Sequence, residues 1–228
     1  MAEAKSQRAV SIGAVNRPSL HLEIVPVLRE MILTGALEQG AAINETELCQ
    51  QLCVSKTPLR EALKVLAFDR WVEIRQNRGT IVSRVTREEA INLFEVFEGL
   101  EFVVGTLAAQ RVTDEEFEAV KELHGELGRL LRAKHAREYF EVSQKFHNAI
   151  LHCTHNSHLI ALHEDIARRI LRARIVANVT DERRTTSYKE HGEILAALKA
   201  RDPSRLGTAL RNHAHQTGEA VIAALRTA

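Results

Sequence analysis

The chain of 228 residues is poor in aromatic rings, with 7 Phe, 2 Tyr and 1 Trp, or 4% of its length. Its core must therefore rest on Leu, Ile, Val and Ala, which a hydrophobic content of 45% supplies. Cysteine is scarce too: Cys49, Cys53 and Cys153 form an odd set, which argues against a disulfide framework or a zinc finger. Cys49 and Cys53 stand four apart, as two buried residues on one helical face would, and all three are expected to be structural thiols. No apolar run approaches the roughly 20 residues that cross a bilayer. Residues 1–19 are polar and mixed in charge, without the apolar stretch of a secretion signal, so the expected compartment is the cytoplasm. A large excess of one charge is also missing, the formal net charge being +1. Residues 1–87 carry 12 Lys and Arg against 9 Asp and Glu, and residues 88–228 carry 19 against 21. That modest asymmetry is compatible with a first part that faces DNA, since phosphate binding needs a local patch and not a high total.

Hydrophobic spacing supplies the organisation. Val27, Leu28, Met31 and Ile32 repeat helically up to Gly35, a natural stop, in a stretch that Pro18 precedes and that carries Pro26 near its start. Residues 35–40 read as a turn, and a short helix is expected over about 45–53. A third helix starts at Ser55, a good N-cap, with Pro58 tolerated in the first turn. There Leu59, Ala62, Leu63 and Leu66 make an apolar face, and Lys56, Arg60 and Lys64 make a basic one. Two strand-like runs follow, at 71–75 and 80–83, with a turn at 76–79. Beyond about Thr86 the pattern is helical almost throughout. A long helix begins at Arg87, a second opens at a capping-box signature at Thr113, and others are expected at about 137–152, 158–178, 182–200 and 203–226.

Short helices, a basic-faced helix and a glycine-tipped hairpin make the plan of a winged helix-turn-helix. A helix fits the major groove, and residues near its N-terminus reach base edges. A row of Lys and Arg alone would read equally as a solvated face. The sequence itself adds more. Leu28-Arg-Glu-Met-Ile-Leu-Thr-Gly-Ala-Leu, Glu45-Thr-Glu-Leu, Val54-Ser-Lys-Thr-Pro-Leu-Arg-Glu-Ala-Leu and the wing Trp71 to Gly79 resemble, in order and spacing, the GntR family of regulators. The resemblance implies DNA contacts from Ser55, Lys56, Thr57 and Arg60, a wing tip at Arg78 and Gly79, and a weaker contact at Thr46, where some members carry Arg. Lys56 replaces the commoner Arg and lacks its planar fork for guanine. Glu61 reads as structural.

Ten of the eleven histidines lie beyond residue 120. Most, including His124 and His163, read as ordinary surface or partly buried residues. The helical second half resembles the FadR-type effector domain (FCD) that follows many GntR-type DNA-binding domains. The likeness implies that His147, His191 and His213 bind a divalent metal, zinc or alternatively nickel or manganese. The Asp one turn before the first His in the metal-binding branch is Ser143 here. The other reading of these histidines is a metal-free pocket in which they bond a ligand or one another. Phe97 stands where relatives often place a carboxylate-binding Arg, so the basic run 168–174 offers either Arg172 as the effector's cation or a solvated helix face.

The expected architecture is mostly α: a tail over 1–19, a winged helix-turn-helix domain over 20–85, and an antiparallel helical bundle over 88–228 for effector binding and dimerisation. The expected function is that of a ligand-responsive, sequence-specific transcriptional regulator, more readily a repressor. Its partners would be operator DNA, a second copy of the chain, and a small effector such as an organic acid. Two other readings remain: a constitutive DNA-binding dimer without an effector, and a metal-dependent hydrolase, which would leave the N-terminal part without a purpose.

Overall fold

The computed structural model describes residues 20–76, 79–176 and 180–225. The first part comprises α1 (Leu20–Leu33), β1 (Ala42–Ile43), α2 (Glu45–Gln51), α3 (Lys56–Phe68), β2 (Val72–Arg75) and β3 (Gly79–Val82). Asn44 starts α2 by accepting from the backbone N–H groups of Thr46 and Glu47. On α3 the row Leu59, Ala62, Leu63 and Leu66 is wholly buried, as its spacing requires, and closes a core with Leu28 and Trp71. Strands β2 and β3 pair antiparallel, Arg75 opposite Gly79, to form the wing. Gly79 takes φ +74, and a Cβ there would meet nothing, so backbone conformation and not space calls for glycine.

Local structure departs from expectation at three points. The 35–40 turn leads into β1, which pairs with β3 and gives the sheet order β1-β3-β2. A two-residue strand has no alternation to read. Ser55 holds the N-cap position of α3 in extended backbone, but its side chain makes no capping hydrogen bond. The cysteines are not alike: α2 ends at Gln51, so Cys53 falls beyond it at φ 52 and is exposed, Cys49 is half-buried, and only Cys153 lies in the core.

The second part is an antiparallel bundle of α4 (Arg87–Arg111), α5 (Asp114–Ala133), α6 (Ala136–His152), α7 (Ser157–Val176), α8 (Asp181–Lys199) and α9 (Pro203–Ala224). Thr113 and Glu116 form the expected capping box at the start of α5. Helices α4 and α9 cross with backbones almost touching. A Cβ on Gly105 would stand 2.5 Å from the Gly207 nitrogen, so glycine sets how closely they pack. One large core runs through the bundle, centred on Phe146, Leu127, Ile150, Ile194 and Leu198.

Helix α7 joins the two parts. Arg172 is buried and donates to the carbonyls of Arg70 and Ser83, with its guanidinium over the Trp71 ring. Arg168 pairs with Asp69 at 3.5 Å across the junction, while Arg169 pairs with Glu89 of α4 within the bundle at 3.1 Å. Ile175 packs against the N-terminal core. The basic run is thus not simply a solvated face, and at Arg172 the guanidinium is engaged with backbone of the first part.

Candidate DNA-facing helix and histidine-lined cavity

Ser55, Lys56, Thr57 and Arg60 lie exposed around the first turns of α3, and Thr46 is exposed in the first turn of α2. Arg60 is held ready, its Nε 2.8 Å from Glu45 Oε2, while its side chain stays 61% exposed. Gly79 is exposed at the start of β3; Arg78 lies outside the described residues.

The three singled-out histidines come from α6, α8 and α9, and the fold brings them together. One ring nitrogen from each of His147, His191 and His213 lies within 4.8 Å of the others. His147 Nε2 and His191 Nε2 are 3.1 Å apart. Two nitrogens sharing a tetrahedral ion, with bonds of about 2.0–2.1 Å, stand about 3.3 Å apart, so the His147–His191 pair is spaced as two ligands of one divalent ion would be. Burial, and then the proximity of the other rings and of Arg174, holds His147 and His191 well below the usual histidine range. Burial also lowers His213, against the opposing pull of Glu190. Neutral imidazoles are the form that ligates.

Glu190 stands directly behind His213. His213 Nδ1 donates to Glu190 Oε2 at 2.6 Å, which leaves Nε2 for the cluster. Arg183 grips the same carboxylate with two bonds of 3.0 and 2.9 Å. Burial works against this carboxylate's charge, but His213 and Arg183 outweigh it and keep Glu190 below the ordinary range. A carboxylate behind a histidine fixes its tautomer and ring orientation. A signal existed in the spacing of Arg183, Ser187, Glu190 and His191, which share one face of α8.

Beside the cluster lies a cavity of about 380 Å³ between α4, α6, α7 and α9. His147 and His213 form one wall, and Phe94, Phe97, Ile170 and Leu171 an apolar one. Phe97 faces the ring of His163, centroids 4.9 Å apart. His163 is not the ordinary residue expected: it is buried, with Nε2 3.0 Å from the equally buried Glu101. His124 stacks on Tyr188. Ser143 is buried and lines a smaller pocket of about 270 Å³ with Arg183 and Ser187. Arg174 lines both spaces, and Arg172 lines neither.

The comparisons agree with this anatomy. Residues 20–82 match the model of the bacterial regulatory proteins of the gntR family, and residues 92–216 match the FCD domain. The chain is 28% identical over 201 residues to the Nta operon transcriptional regulator of Aminobacter aminovorans, covering 87% of this chain and 92% of that one. It is 24% identical over 200 residues to the HTH-type transcriptional repressor RspR of Escherichia coli, covering 87% of each. Among solved structures, E. coli McbR/YncC superposes with a TM-score of 0.72 at 23% identity, over 92% of this chain and 99% of that one. These relatives are regulators and not enzymes, and no helix among the described residues is long and apolar enough to cross a membrane. With both family models matched in order along its length, the chain belongs to the GntR family of transcriptional regulators, in the branch that carries an FCD domain.

Proposed function

We propose that the protein is an effector-controlled repressor that binds operator DNA as a cytoplasmic homodimer. Its three-histidine cluster would hold a divalent ion, zinc or else nickel or manganese, and its cavity a small organic acid or similar metabolite. One observation carries this reading. Three imidazoles kept neutral by burial converge beside a cavity whose α7 wall also grips the N-terminal domain. A ligand that prefers one placement of that wall shifts the population of DNA-binding arrangements.

His147, His191 and His213 would hold the ion, with Glu190 fixing His213. A bound ion supplies positive charge and an open position for an oxygen donor. Ser143 brings no carboxylate to offset that charge, which favours an anionic effector. Residues 20–85 form the DNA-binding domain and residues 88–228 the effector domain. Ser55, Lys56, Thr57 and Arg60 read the major groove, Thr46 approaches phosphate, and Arg78 and Gly79 carry the wing toward the minor groove. Dimerisation suits two-fold operators. Val96, Gly99 and Val103 leave a small apolar stripe exposed on α4, at the spacing of a helix–helix seam.

Fluorescence anisotropy tests the reading, with DNA from upstream of the protein's own gene, random DNA of equal length as control, two salt concentrations, and zinc present or absent. Selective binding together with stoichiometric metal uptake is the expected result. Equal, salt-sensitive binding to both DNAs would overturn sequence-specific regulation, and protein that takes up none of the three metals would overturn the metal site.

A further inference from the structure

Among the described arginines that line the two cavities, Arg174 alone has neither an ion pair nor a hydrogen bond, although an orphaned Nε is common to Arg169, Arg172 and Arg183 as well. On the same helix, Arg168 pairs with Asp69 and Asp165, Arg169 with Glu89, and Arg172 with two backbone carbonyls. On α8, Arg183 is bound to Glu190 and Arg184 to Asp181. Among the described residues no carboxylate lies within ion-pairing distance of Arg174, and its Nε is buried without a hydrogen-bond partner. Its guanidinium sits 5.1 Å over the Phe140 ring. Burial, with Arg183 as a like-charged neighbour, pushes it down to about 10 against the weaker opposing pull of Tyr139 and Glu101. A half-buried cation with neither an ion pair nor a hydrogen bond is open to a ligand that carries the opposite charge.

The surroundings specify the ligand further. Gln144 Nε2, a buried amide donor, has no partner and belongs to the same cavity. His163 gives its Nε2–H to Glu101, which leaves Nδ1 as a buried acceptor with no partner. The rest of the lining is largely apolar, with Phe94 and Phe97 from α4 and Ile170 and Leu171 from α7. One unpaired guanidinium matches one negative charge, and its planar fork matches a carboxylate.

We propose that Arg174 is the anchor for the acid group of the effector: the cavity binds a small carboxylate with an apolar body, held by Arg174 and Gln144, and this recognition does not require an ion on the histidines. The proposal rests on the reading of the cavity as the effector site and deepens it. It moves recognition of the acid from the metal to α7, the helix that carries the contacts to the DNA-binding domain.

The test uses the full chain treated with chelator, and the same protein reloaded with zinc. Calorimetric titrations with benzoate, isovalerate and inorganic phosphate are made on wild type, Arg174→Gln and Arg174→Lys, with circular dichroism and operator binding reporting the fold of each variant. At least one of the two carboxylates should bind wild type in both metal states with affinities within about threefold. Phosphate should bind markedly more weakly. Arg174→Gln should weaken the carboxylate at least roughly tenfold while operator binding persists, and Arg174→Lys should fall between. Binding seen only after zinc is restored would overturn the proposal, and so would unchanged affinity in a folded Arg174→Gln or no carboxylate binding in either state. Should Arg174→Gln fail to fold, the folded Arg174→Lys decides: unchanged affinity there also overturns it. Operator binding and metal uptake by wild type are measured separately, so failure here is distinct from failure of the regulator reading.

Discussion

Arg172 reaches from near the C-terminal end of the bundle's α7 to the Ser83 carbonyl just beyond β3, and the same guanidinium also donates to the Arg70 carbonyl. A side chain 5% exposed therefore satisfies two backbone acceptors of the other domain. Removing it strands them, at a cost of about 1–3 kcal/mol for each that stays out of water. Arg168 and Asp69 contribute less, because an ion pair with one partner a third exposed is worth about 1 kcal/mol at most. In Arg172→Ala the two domains should lose their mutual support, the DNA-binding domain melting ahead of the bundle. Calorimetric unfolding checks this, and a single cooperative transition like that of wild type would mean that the contact does not couple the domains.

Arg60 should read a base. Its Glu45 partner steers the guanidinium without burying it, so little must be broken on binding DNA. Arg60→Ala should cost specific operator binding about 1–3 kcal/mol and relax preference at one base pair. Anisotropy with single-base operator variants measures it. A uniform loss on all DNA, with a shallower salt dependence, would make Arg60 a phosphate anchor instead.

What could be read in the sequence was what repeats locally. The Leu59 to Leu66 row, the Thr113 box and the hairpin each depend on neighbours a few residues away, and each is present in the structure. Partners far apart in the chain left no such trace. Glu101 and His163 are 62 residues apart, and the pair is buried. Arg172, one of the two readings of the basic run, turns away from the cavity for a geometric reason: two steps along a helix turn the side chain by about 200°, so Arg172 and Arg174 face opposite ways. One meets the DNA-binding domain and the other the cavity. Which face of α7 was which depended on how the two domains dock, and periodicity within the helix carries no record of that. The expected burial of Cys53 failed because α2 ended before reaching it.

Glu190 should matter to metal binding although it touches no ion. Its carboxylate sets the His213 ring, and Glu190→Gln would keep the volume while weakening that hold and leaving Arg183 without its charged partner. Zinc affinity, measured by competition with a chromophoric chelator, should fall about 10–100-fold. Glu193→Gln is the control, since that residue is exposed on the same helix. Equal affinities for both variants would remove Glu190 from the metal site.

Acid should both destabilise the metal-free protein and strip the metal from the loaded one. His147, His191 and His213 are depressed in the folded state, foremost by burial, whereas in the unfolded chain they titrate near 6.5. Below that value the unfolded chain binds more protons than the folded one, so stability must fall as pH falls. The contribution is therefore complete above about pH 6.5 and is lost progressively as pH drops toward the depressed folded values. Protons also compete with the ion for the same nitrogens, so the zinc-loaded protein should lose stability more steeply over that range. Thermal unfolding across pH 5 to 8, with and without chelator, measures both slopes. His147→Gln should flatten the acid limb of the chelated protein, because one buried group that must stay neutral has been replaced by one that always is. An acid limb as steep in the variant as in wild type would mean that the pH dependence comes from elsewhere in the chain.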